Sequence, residues 1–218
     1  MKYLKKFQNH AAYAAAESGL ILPNVSLCVQ ENEVHYNPAP DPYAGHEYVD
    51  LGLPSGTKWA TMNVGANSVT DYGNYYQYGK GAATYQETSG QSAYSGTESP
   101  LAASADTASQ VWGGEWHMPT KAQMQELKAN TTYQWVTDYN GSGINGYILT
   151  ATNGAVLFLP AAGGWYTGSQ NGVGSDGNYW GSSPNGRVDA CLLYFGSGDK
   201  GVDDGGREGG YSVRGVVG

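Results

Sequence analysis

The chain has 218 residues, 40% of them hydrophobic, and a formal net charge of −8. That length supports one mid-sized core plus a small accessory segment. Beyond Lys5-Lys6 there is no Lys/Arg cluster, which excludes a nucleic-acid face built to neutralise phosphates, and no apolar run approaches the roughly 20 residues that span a bilayer.

Residues 1–36 read as a small N-terminal accessory or attachment segment, too short for a core of its own. Lys5–Ser18 carries helix formers, with Phe7, Ala11 and Ala15 spaced for one helix face, and Gly19 stops it. Leu20–Leu22 and Val25–Val29 read as short strands around Pro23-Asn24, and Glu31-Asn32-Glu33 as a polar turn. The basic start resembles a signal n-region, but Gln8, Asn9 and His10 follow at once, so a short amphipathic helix is expected there instead. Residues 37–46 form a Pro-rich linker, because Pro38, Pro40 and Pro42 force an extended path. The main domain is expected over 47–218.

Within it, Thr57–Thr61 alternates like a strand with Trp59 inward, and 79–104 reads as an irregular insertion. A short helix is predicted over Asp106–Trp112, ended by Gly113-Gly114. The next has an N-cap at Thr120, a capping-box partner at Gln123, core residues Met124 and Leu127, and an end at Thr131-Thr132. Gly146–Thr150 and Ala155–Leu159 read as a hairpin. About half of the 33 glycines follow Leu159, so much of this last quarter reads as loop, including Trp165 and Tyr166. There Gly177–Trp180, Leu193–Phe195 and Tyr211–Arg214 form an aromatic skeleton, separated by the miscellaneous patches Asn185–Asp189 and Gly198–Gly206. With 18 Tyr and 6 Trp against 3 Phe, the chain favours side chains suited to half-buried contact surfaces.

No catalytic constellation emerges. His10, His35, His46 and His117 are scattered, and no nucleophile–base pair is visible. Cys28 and Cys191 are read as free thiols, without a second Cys or a His at metal spacing. Gly172–Gly177 lacks the following helix that a phosphate loop needs. Asp203-Asp204 reads as a solvated acidic loop in preference to a loose hard-cation site. Trp112, Trp116 and Trp180 are assigned to the core.

Five ordered blocks then carry a resemblance: Glu47–Gly65, Trp112–Leu127, Phe158–Gly163, Gly177–Ser183 and Tyr211–Val216. Together they resemble the C-type-lectin-fold domain of gut bacteroidal and phage proteins, a relative of the formylglycine-generating-enzyme type. The resemblance covers Glu47 to Gly218, and its tail is most similar to variable proteins of diversity-generating retroelements. It implies an α+β fold with two short helices and twisted antiparallel strands. It also implies a hypervariable ligand-binding face whose adenine-bearing codons are mutated. That face falls within about 164–210 and takes Tyr166, Ser169, Asp176, Gly186, Arg187, Val188, Asp189, Cys191, Leu192, Gly196, Gly198, Asp199, Lys200, Asp203, Asp204, Gly205, Gly206, Glu208 and Gly209. Lys200 and Glu208 need a template codon other than the Asn type, or a fixed identity.

The function implied is receptor binding or adhesion by a phage tail or fibre protein, with a bacterial surface protein or glycan as ligand. The N-terminal segment is expected to meet other virion proteins, and homo-oligomers are compatible with a fibre. A bacterial cell-surface location is the alternative, and so is a non-diversified adhesive or structural domain of the same fold. An enzyme is not expected, since formylglycine-generating enzymes use closely placed cysteines and a metal, whereas Cys191 stands alone. Neither a metal nor a cofactor is expected, since Tyr179-Trp180-Gly181-Ser182 replaces the Trp-Asn-Asp triplet of calcium-dependent lectins.

Overall fold

A computed structural model describes residues 25–30, 33–38, 41–83, 94–166 and 168–218. The chain divides into two units, Met1–Pro42 and Tyr43–Gly218. In the first, β1 (Val25–Gln30) and β2 (Glu33–Pro38) form an antiparallel ribbon running from Val25↔Pro38 to Gln30↔Glu33. The predicted helix Lys5–Ser18 and strand Leu20–Leu22 lie outside the described residues.

The expected linker is corrected at both ends. Asn37 and Pro38 close β2. Proline is tolerated at a strand end, where no ladder N–H is required. At the other end, Tyr43 and His46 belong to the second unit. The Tyr43 ring packs 5.0 Å from Tyr48, its carbonyl accepts from Trp116 Nε1 at 2.7 Å, and His46 stacks 4.1 Å from Trp112.

The second unit is mixed and strand-rich, with two helices and several antiparallel sheets among the described residues, compatible with the expected α+β class. β3 (Tyr48–Val49), β4 (Lys58–Ala60) and β15 (Val216–Val217) form one sheet in the order β15-β4-β3. The start and the end of the unit therefore lie side by side, and Trp59 points into the core as predicted. The helix α1 (Thr107–Val111) is capped by Asp106, which accepts from Ser109 N at 2.9 Å and from Met118 N at 2.8 Å. Burial pushes the Asp106 carboxyl up, against the pull of those two N–H groups. The helix α2 (Lys121–Asn130) has the complete capping box of Thr120 and Gln123, and buries Met124 and Leu127.

β6 (Thr131–Val136), β7 (Gly146–Ala151) and β8 (Val156–Pro160) form a meander. Its first strand was not anticipated. β9 (Gly164–Tyr166) and β10 (Ser169–Asn171) join β5 (Tyr76–Gln77) and β14 (Gly210–Tyr211) in the order β10-β9-β14-β5. β11 (Gly177–Asn185), β12 (Asp189–Phe195) and β13 (Lys200–Gly206) form a sheet with β12 central. Two expectations of loop are thereby overturned: Trp165 and Tyr166 lie in β9, and the patch Gly198–Gly206 is mostly strand. Its glycines follow β12 residue by residue, from Phe195↔Lys200 to Asp189↔Gly206, so the neighbouring strand overrides weak local propensity.

The β11–β12–β13 sheet divides the interior. Cys191, Leu193 and Phe195 join Tyr179, Met124 and Leu127 on the α2 side. Ala190 and Leu192 join Trp180, Tyr76, Tyr78 and Val213 on the other.

Candidate functional site

Alternation along β12 decides which predicted residues reach solvent. A central strand covered on both faces buries both sets of its side chains. Cys191 is 0% and Leu192 8% exposed, so both are corrected from ligand-contacting residues to core residues. The Cys191 thiol faces Gly181 and is pushed up by burial, which favours its neutral form. Gly196 and Gly209 are buried as well.

The exposed predictions do not share one face. Gly186, Arg187 and Val188 form the tip of the β11–β12 hairpin, with Asp189 half-buried behind them. Gly198 and Asp199 are exposed in the opposite turn, which joins β12 to β13. Seven residues of β12 separate these ends, about 20 Å at strand rise. At the far turn, a Cβ on Gly196 would lie 3.0 Å from Asp199 Oδ1 and 3.3 Å from Asp176 Oδ1, which brings Asp176 to the same turn. Lys200 is also exposed, and its ammonium sits 5.0 Å above the Tyr133 ring, on the α2 side. Tyr166 and Ser169 pair across the β9–β10 hairpin, Tyr166 being 48% exposed.

Asp203 and Asp204, adjacent in sequence, point to opposite faces of β13. Asp204 faces α2, where Lys121 Nζ meets both its oxygens at 3.0 and 2.9 Å and Asn185 Nδ2 donates at 3.1 Å. Asp203 is exposed and accepts from its neighbour's backbone, Asp204 N, at 2.9 Å. The two carboxylates therefore form no shared cradle for a cation. Among the described residues no group of three or more His, Cys, Asp or Glu is placed to hold a metal.

A coherent half-exposed surface does exist on the face of β12 and β13 turned away from α2. It comprises Tyr194, Asp203 and Gly205, joined by Tyr211 from β14 and, across the β9–β14 pairing, by Tyr166. Tyr194 lies across Gly201, where a Cβ would come within 2.6 Å of its ring. Tyr211 packs 4.8 Å from Trp180 and lies over Gly209, where a Cβ would come within 2.7 Å. The Tyr211 hydroxyl is pushed up first by burial, then by the charges of Glu208 and Tyr166. Tyr194 and Tyr211, expected in the skeleton, are half-exposed. Their alternation with Leu193 and with Ser212 was the available clue.

Two buried arginines hold the surroundings. Arg207 is 1% exposed, and its guanidinium donates to four backbone carbonyls: Asp189 O at 3.0 Å, Gly186 O at 2.8 Å, Tyr94 O at 3.2 Å and Gly96 O at 2.9 Å. It also lies 4.8 Å above the Tyr78 ring. This one side chain ties the hairpin tip to segment 94–96. Its role is hidden in the sequence, because Gly205-Gly206-Arg207-Glu208-Gly209 has the composition of a solvated loop. Arg214 is equally buried. It donates to Asn63 Oδ1 at 2.8 Å, Ala60 O at 3.0 Å and Phe158 O at 3.1 Å, and burial pushes its pKa down to about 10.

The backbone of His117 bridges Val216. Trp116 and Trp180 are buried, while Trp112 is only partly so. No helix among the described residues is long and apolar enough to cross a membrane. No model of a known family, no curated protein and no solved structure matches the chain.

Proposed function

We propose that Tyr43–Gly218 is a ligand-binding display domain of C-type lectin fold, diversified by a retroelement. We place it in a phage tail or fibre as a receptor-binding or adhesion component, with a bacterial surface protein or glycan as its ligand. The observation that carries the reading is the anchoring of the hairpin tip. All four guanidinium hydrogen bonds of Arg207 go to backbone carbonyls, and its own N–H donates to Val188 O at 2.9 Å. None of these bonds involves a side chain at Arg187, Val188 or Asp189, so exchanging those side chains leaves the tip held. A display surface requires that independence: changes on it alter affinity through a few anchors while stability shifts by only about 0.5 kcal/mol. The lectin-fold assignment is supported by the pairing of the unit's last strand, β15, with β4 near its start and by α2 packed under the β11–β12–β13 sheet.

The burial of Cys191 and Leu192 narrows the proposed face to the hairpin tip and the Tyr194–Tyr211 surface. The test is to sequence this gene from many members of one population and to seek a neighbouring reverse-transcriptase gene with an adenine-differing repeat. Variation is expected at Arg187, Val188, Asp203, Gly205 and Glu208, with Trp180, Arg207 and Arg214 constant. Uniform codons across that set would replace this reading with a non-diversified adhesive domain.

A further inference from the structure

On the surface turned away from α2, an exposed carboxylate lies on the same face as half-exposed tyrosine rings. Asp203 and Glu208 have no Lys or Arg partner among the described residues, whereas Asp204, one residue from Asp203, is paired with Lys121. Elsewhere the chain seats its own cations on tyrosine rings: Lys58 lies 4.9 Å above Tyr48, Lys200 5.0 Å above Tyr133 and Arg207 4.8 Å above Tyr78. Tyr166, Tyr194 and Tyr211 carry no such cation among the described residues. Rings of this kind attract cations through their negative faces, more strongly where a carboxylate sits alongside.

The same surface borders an open backbone. β13 is an edge strand, bonded to β12 on one side only among the described strands. Its two edges can be told apart. Arg207 N donates inward to Val188 O, continuing the ladder, while Asp204 N turns outward to the Asp203 carboxylate. Hydrogen-bonding direction alternates along a strand. Val202 therefore shares the outward direction of Asp204, with its N–H and C=O facing away from β12, and so does the Gly206 N–H, while the Gly206 carbonyl accepts from Gly209 N at 3.0 Å. The acidic side chains keep a second copy of this acidic chain from pairing there, but they do not repel a basic strand.

We propose that this edge and face bind an extended basic peptide segment of a partner protein. Its backbone would bond to the N–H and C=O of Val202 and to the N–H of Gly206 as an added strand, and its Lys or Arg side chains would settle against Asp203 and the rings of Tyr194 and Tyr211. This rests on the display reading and names the chemistry of its ligand for this variant.

The test uses the full chain, titrated with a short acetylated peptide alternating Thr and Arg and followed by the tyrosine ring resonances. Saturable shifts are expected at Tyr194 and Tyr211, weakening as salt is raised. Asp203→Asn should weaken binding by about tenfold, as loss of one charge-assisted bond does, whereas Glu115→Gln, the same charge change at a distant exposed site, should leave it unaltered. N-methylation of the peptide along the strand-facing edge should abolish binding. Equal binding of a Thr/Gln peptide, or shifts elsewhere on the molecule, would overturn the inference. So would shifts at Tyr194 and Tyr211 produced by a neutral oligosaccharide and by no arginine peptide, and that result would leave the display reading standing. Uniform codons across a population would remove the display reading whatever the peptides do.

Discussion

β12 and β13 are adjacent strands from the same stretch of sequence, and both were expected to supply ligand contacts. They differ in their place in the sheet: β12 has a strand on each side and a core on each face, while β13 is an edge among the described strands. In β12 the side chains from Ala190 to Leu193 are all buried. In β13 Asp203 is exposed and no residue beyond Gly201 is fully buried. Exposure here follows place in the sheet rather than side-chain chemistry. A cysteine and a leucine that look interchangeable with their neighbours are fixed by what lies above and below them.

The largest expected effect comes from the skeleton that supports both strands. Trp180 is wholly buried, packs on Tyr78 and Tyr211, and donates from Nε1 to Tyr76 O at 2.9 Å. Trp180→Ala should cost about 3–5 kcal/mol in chemical denaturation, as such truncations do in packed cores. Arg207→Met comes next. It strands four carbonyls around the hairpin tip, and an orphaned buried acceptor costs about 1–3 kcal/mol. We expect a loss of about 3 kcal/mol, since the tip can relax toward water, together with faster amide exchange at Val188. A loss confined to stability with unchanged exchange at the tip would remove the clamp assigned to Arg207.

A direct comparison of the two strands uses one kind of change in each. Cys191→Asn places an amide in an apolar site and should destabilise by about 1–3 kcal/mol. Asp203→Asn, on the exposed face of β13, should shift stability by less than about 0.5 kcal/mol. Equal tolerance at both positions, read by thermal and urea unfolding, would return Cys191 to the display surface.

Legibility of the sequence divides along the same line. α2 could be read to the residue, because Thr120, Gln123, Met124 and Leu127 act within one helix and need nothing distant. β4 and the β7–β8 hairpin were legible for the same reason. β6 had the right period, with Tyr133 and Trp135 turned to the core and Thr132 and Gln134 outward, but it begins at the residue that caps α2 and was read only as a helix end. β13 was illegible as a strand, since Gly201, Gly205 and Gly206 have little strand preference and are ordered by pairing with β12. The roles of Arg207 and Asp204 depend on partners 18 to 113 residues away, and no local pattern announces them.

The smallest effect tests how far β13 belongs to the scaffold at all. Lys121 and Asp204 join α2 to the edge strand, with side chains 38% and 20% exposed. Solvent screens such a pair, so a double-mutant cycle with Lys121→Met and Asp204→Asn should return a coupling of about 0.2–1 kcal/mol, reduced further by added salt. A coupling in that range means that β13 is held chiefly by its ladder to β12, so its exposed side chains can change without loosening the strand. A coupling well above it would make Asp204 a structural anchor, and the half of β13 that can be freely exchanged would shrink to Asp203 and its glycines.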